Sequence, residues 1–83
     1  MEGDLISTKL LLKKWPDINT QDYNGDTLLI TASKHGHPEI VKFLLEKGAN
    51  IHLRTSMGYT ALIWASRYGY PEVVKLLLEK NPE

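Results

Sequence analysis

Sliding the sequence against itself by 33 residues lays residues 22–50 over residues 55–83 with fifteen identities in twenty-nine positions. Unrelated segments of ordinary composition share about two. Gly25 falls on Gly58, Thr27 on Thr60, Leu29 on Leu62, Ile30 on Ile63, Ala32 on Ala65, Ser33 on Ser66 and Gly36 on Gly69. Further along, Pro38-Glu39 meets Pro71-Glu72, Val41-Lys42 meets Val74-Lys75, and residues 44–47 meet 77–80. The offset also reaches backwards: Leu11, Leu12 and Ile18 lie over Leu44, Leu45 and Ile51, and Gly3 lies over Gly36. A fixed period of this length marks one supersecondary unit used repeatedly, each copy burying its apolar face on its neighbour. The spacing divides a single domain into the second half of one repeat (1–21), a full repeat (22–54) and a third that lacks its last few residues (55–83).

Local chemistry says what each unit builds. Asn24-Gly25 and Met57-Gly58 are turn signals, because glycine accepts the positive φ of a tight turn. Thr27 and Thr60 stand where a helix begins and offer a hydroxyl to the unpaired N–H groups of its first turn. A short helix to about Lys34, and to Arg67 in the next copy, is stopped by Gly36 and Gly69. Pro38 and Pro71 suit the first position of a second helix, and Glu39 and Glu72 suit its positive end. Ile40, Val41, Leu44 and Leu45 then follow helical spacing, as do Val73, Val74, Leu77 and Leu78. Gly48 ends the second helix in a left-handed conformation. The spacing predicts an all-α solenoid of about two and a half 33-residue repeats, each a helix-turn-helix with a protruding hairpin loop, and five helices in total.

Residues 25–52 resemble an ankyrin repeat almost throughout, and the third repeat does so too. Four departures carry information. The Thr-Pro-Leu-His of that family is Thr-Leu-Leu-Ile at 27–30 and Thr-Ala-Leu-Ile at 60–63, so Ile30 and Ile63 replace a loop-bonding histidine and imply drier loop packing. Trp15-Pro16 replaces the Gly-Ala that ends the second helix. Ser7 and Thr8 replace the apolar pair Ile40-Val41, as a solvent-facing end repeat would. Asn81-Pro82-Glu83 replaces glycine as the final helix stop.

The resemblance implies recognition of a protein partner, a folded protein or a peptide, through hairpin tips and the exposed side of the first helix of each repeat. The matching positions are Tyr23, Asn24, Asp26, Lys34 and His35 in the full repeat, and Ser56, Met57, Tyr59, Arg67 and Tyr68 in the third. Tyr, Met and Arg are enriched at interfaces. Tyr59 and Tyr68 are therefore expected to be exposed contact residues, whereas Trp64 is expected to pack against the neighbouring repeat.

Other functions find little support. Lys plus Arg equals Asp plus Glu at 10 each, and no basic footprint for nucleic acid or an anionic membrane stands out. There is no cysteine, hence no disulfide or thiolate metal site. His35-Gly36-His37 lacks a third ligand, since Glu39 is better explained at the helix start. His52 reads as a loop hydrogen-bonder. No glycine-rich phosphate loop, nucleophile motif or paired carboxylates suggest an enzyme, so no catalytic residue, metal or cofactor is expected. No apolar run is long enough for a bilayer and no signal segment follows Met1, so the expected setting is cytoplasmic. Asp17-Ile18-Asn19 after Leu11 resembles the ankyrin pattern that asparaginyl hydroxylases modify, although a hairpin asparagine bonding backbone explains Asn19 more simply.

A second function class follows from the ends of the array. Ile63, Trp64, Val73, Val74, Leu77 and Leu78 read like an internal repeat, with nothing after Glu83 to cover them. The sequence therefore also allows a self-associating scaffold, a homodimer pairing through this C-terminal face.

Overall fold

The computed structural model describes residues 5–80. It contains α1 (Leu5–Lys14), α2 (Leu28–Lys34), α3 (Pro38–Glu46), α4 (Ala61–Tyr68) and α5 (Pro71–Lys80), with no strand among the described residues.

The limits of the helices between Thr27 and Pro71 follow from the residues that stand there. Thr27 is extended (φ −96°, ψ 171°) and its hydroxyl oxygen accepts from the Ile30 N–H at 3.1 Å. Thr60 does the same for the Ile63 N–H at 3.2 Å. Pro38 and Pro71 open α3 and α5, where a missing N–H costs nothing. Gly36, Gly48 and Gly69 turn left-handed, with φ of 71°, 88° and 73°. Beyond them, the N–H groups of His37, Ala49 and Tyr70 reach back to the carbonyls of Ala32, Leu44 and Ala65, each at 3.0 Å. That pattern satisfies carbonyls a helix end otherwise leaves open.

The helices form two layers. The inner layer pairs α2 with α4; the outer runs α1, α3, α5; α2 also packs on α3, and α4 on α5. Between the layers lie Leu29, Ile30, Ile40, Val41, Leu44, Val73 and Leu77, each at most 1% exposed, with Ala32, Ala61 and Ala65 where helices approach closely. Burying each large side chain contributes roughly 1.5–3 kcal/mol. Tyr70 adds a lock between repeats: its ring lies so close over Gly36 that a Cβ there would sit 2.7 Å from it.

The two ends differ from expectation. Thr8 is fully buried, not solvent-facing, whereas Ser7 is exposed. The offset explains this, since Thr8 occupies the slot of Val41, whose shape it nearly matches. Ile6 and Leu10 are instead 70% and 59% exposed, so the first helix does not present a polar outer face. At the other end, Leu78 is 48% exposed where its counterpart Leu45 is 6% exposed. Ser66 is likewise exposed where Ser33 is buried. Ile30 is buried and Ile63 is 38% exposed, so only the first has the dry packing expected of both. Gly3 and the stop at Asn81-Pro82-Glu83 lie outside the described residues.

Candidate protein-docking face

The hairpins that carry the candidate contact residues are built alike from different side chains. Gly25 and Gly58 both sit at φ 81°, as the turn requires. In the first tip, Oδ1 of Asp22 accepts from the N–H groups of Asn24 and Asp26, each at 2.9 Å. In the second, Oγ1 of Thr55 accepts from those of Met57 and Tyr59, each at 3.2 Å. Gln21 donates to the Gly25 carbonyl at 2.9 Å, and its offset partner Arg54 donates to the Gly58 carbonyl at 2.8 Å. Asp17 and Asn50 match in the same way, their Oδ1 atoms accepting from the N–H of Asn19 and His52.

Neighbouring tips are also tied together. The Ser56 N–H donates to the Asn24 carbonyl at 2.9 Å, and Gln21 bonds the Arg54 carbonyl at 3.0 Å. The Asn19 side chain accepts from the Asn50 N–H at 2.8 Å, giving that asparagine the structural task anticipated for it. His52 takes part through its backbone.

Along α4 and just beyond its two ends, four rings form a ladder. Tyr59 meets Trp64 edge-on at 4.9 Å, Trp64 stacks on Tyr68 at 5.4 Å and 12°, and Tyr68 tilts against Tyr70 at 6.2 Å. Cations flank it: Lys34 Nζ lies 5.1 Å from the Trp64 ring and the Arg67 guanidinium 5.8 Å from Tyr59. Lys34 also pairs with Asp26 at 3.1 Å. Trp64 thus packs on the preceding repeat, and its buried Nε1 has no partner among the described residues.

The structure places the other candidates unevenly. Tyr23, Met57 and Tyr68 are strongly exposed, and Asn24, His35, Ser56 and Arg67 are also at the surface. Tyr59 is half-buried against Trp64, not a free contact residue. Asp26 and Lys34 are half-buried and engaged with each other. The His35 and His37 rings stack at 6.3 Å, and no group of three His, Cys, Asp or Glu among the described residues could hold a metal. The six residues assigned to self-association do not form one face. Val73 and Leu77 point into the core at 1% exposure, and Trp64 belongs to the ring ladder. Val74 and Leu78 do share an open groove, with Tyr70 and Pro71.

Sequence reasoning missed the Gln21–Arg54 correspondence and the place of Tyr70. Gln21 and Arg54 are one period apart and both carry a side-chain N–H, but an identity comparison passes over them. A second groove, of about 200 Å³, lies at the N-terminal side of the inner layer among Leu11, Trp15 and Leu28.

A family comparison matches residues 1–83 to the family described as ankyrin repeats (3 copies). The chain belongs to the ankyrin-repeat family. Among solved structures, it resembles a chain in the complex of a predatory endopeptidase from Bdellovibrio bacteriovorus with an immunity protein. The TM-score is 0.88 at 39% identity, over 95% of this chain and 42% of that one. Among curated proteins, 41 residues are 44% identical to part of a probable E3 ubiquitin-protein ligase of Oryza sativa subsp. japonica, covering 49% of this chain and 8% of that protein. The ankyrin chain therefore spans less than half the length of both relatives. No described helix is long and apolar enough to cross a membrane.

Proposed function

We propose that this ankyrin domain is a protein-binding module, without chemistry of its own, that engages a folded protein or peptide through its hairpin tips and inner helices. The observation that carries the reading is the ring ladder with its two cations. Tyr68 and Arg67, which contribute little to the core, stand at the surface beside the tips, as interface anchors do. The solved relative, which comes from a complex between two proteins, supports the same class of function.

The test is substitution of Met57 and Tyr68 by Ala, at 70% and 52% exposure. Binding to the protein captured by the native chain should fall by tenfold or more, about 1.4 kcal/mol. Folding should survive, with the thermal midpoint lowered by no more than about 5 °C for the lost Trp64 stack. Undiminished binding by the folded double variant would remove the face from consideration. Turnover of ester, phosphate or peptide substrates by the purified chain would overturn the non-enzymatic part.

A second reading rests on the groove holding Val74 and Leu78. One repeat earlier, Val41 and Leu45 are buried, in the outer helix on which α5 packs. A second copy placed over Val74 and Leu78 would give a two-fold homodimer.

A further inference from the structure

The balanced charge of the chain conceals a separation along the docking face. From Trp15 to Ser33 there are three carboxylates, Asp17, Asp22 and Asp26, and no Lys or Arg. From Gly48 to Pro71 the order reverses: Arg54 and Arg67 are present with His52, and there is no Asp or Glu. These two segments, with Lys34 at the end of α2, supply the hairpin tips and inner helices. The outer helices α3 and α5 mix the signs, with Glu39, Lys42, Glu46 and Lys47 on one and Glu72, Lys75, Glu79 and Lys80 on the other. The tips and inner helices are thus divided by sign, while the remaining outer helix, α1, carries Lys9, Lys13 and Lys14 and no carboxylate.

Each half has its own apolar contact area. On the acidic side, Asp17, Asp22 and Asp26 line the groove whose floor is Leu11, Trp15 and Leu28. No cation among the described residues lines that groove, although Lys14 stands outside it, 4.8 Å from the Trp15 ring. On the basic side, Arg67 and Lys34 border the ring ladder, and Asp26 at 3.1 Å already satisfies Lys34. Arg67 has no ion-pair partner among the described residues. The two halves adjoin, because the tips are joined by the Ser56–Asn24 bond.

We infer that the docking face takes a protein segment of opposed charge at its two ends, basic where it meets the Trp15 groove and acidic where it meets the Trp64 ladder, with apolar side chains between. Complementary potentials across an interface set register and exclude wrong partners more than they add affinity. The charge separation therefore fixes the direction in which the segment lies. This inference rests on the binding-module reading above and adds its polarity.

The two tryptophans of the chain report the two halves separately. The experiment follows both indole N–H resonances of the intact protein during titration with three short synthetic peptides sharing a Leu-Ala core. One is flanked by Lys at both ends, one by Glu at both ends, and one by Lys at one end and Glu at the other. The expected result is that the Lys peptide moves Trp15 alone and the Glu peptide Trp64 alone. The mixed peptide should move both, bind about tenfold more tightly than either, and weaken as salt rises. Asp17→Asn with Asp22→Asn removes charge while keeping the hairpin acceptors, as Asn50 already does in the slot of Asp17. That pair should abolish the Trp15 response only, and Arg67→Gln the Trp64 response only. If the Lys and Glu peptides move the same indole, if neither indole moves, or if the charge variants change nothing, the polarity is wrong. Should a captured partner still be lost on Tyr68→Ala but not in the charge variants, the docking face stands and its polarity falls.

Discussion

Gly25 and Gly58 share a residue type, a turn and a φ of 81°, yet they are not equivalent. A Cβ on Gly25 would come within 2.9 Å of the Thr55 Cα and the Ser56 nitrogen, whereas one on Gly58 meets nothing within 4 Å among the described residues. Conformational strain alone applies at Gly58, on the order of 1 kcal/mol for Ala. At Gly25 a backbone collision adds to it and pries at the bond between Ser56 and Asn24. Gly25→Ala should therefore destabilise more than Gly58→Ala, by about 1 kcal/mol or more, read as the difference in denaturant midpoint. Equal losses would mean that the tips separate freely. The turn was legible from Asn24-Gly25 and Met57-Gly58; the collision was not, because it involves a residue thirty positions away. Thr8 teaches the same lesson in reverse. Its polarity suggested solvent, but the slot it fills in the period is that of a buried valine.

At the scale of the element, sequence was a good guide wherever capping chemistry decided the outcome. Thr27, Thr60, Pro38, Pro71 and the three left-handed glycines set helix limits that periodicity alone leaves loose. α2 has only seven residues, too few to hold a helix without packing and caps. Thr27→Ala should cost about 1 kcal/mol, while Thr27→Ser should be nearly neutral because the accepting oxygen is kept. Thermal unfolding of the two variants separates a lost cap from lost packing, and an equal penalty in both would assign the effect to the Thr methyl group. The ring ladder was less legible. Trp64 and Tyr68 lie four residues apart on α4, and Tyr59 stands in the tip just before it. How deeply each is buried depends on Lys34 and Tyr70, which reach it from other elements.

For the whole molecule, the instructive contrast lies between equal residues in successive repeats. Leu45 and Leu78 have the same helical slot, but α3, which carries Leu45, is packed on by α5 of the next repeat, whereas no further described helix packs on α5 in that way. The sequence cannot show that difference, since the third repeat is written like an internal one. If a second copy covers the groove of Val74 and Leu78, sedimentation across concentration should show a dimer. Leu78→Lys should return it to monomer while barely lowering stability, the side chain being 48% exposed. A native chain that stays monomeric at high micromolar concentration would exclude the dimer, and a Leu78→Lys chain that unfolds would place Leu78 in the core.

The hairpin tips have a consequence for how binding is divided between enthalpy and entropy. Loops that project from a scaffold ordinarily lose freedom when a partner arrives, and that loss is subtracted from the affinity. Here each tip is closed by its own Asp22 or Thr55, clamped by Gln21 or Arg54, and bonded to the next. Most of the ordering has already taken place during folding. A partner that docks on the tips as proposed would therefore meet a rigid edge of fixed pitch, with contacts at one tip in register with those at the next.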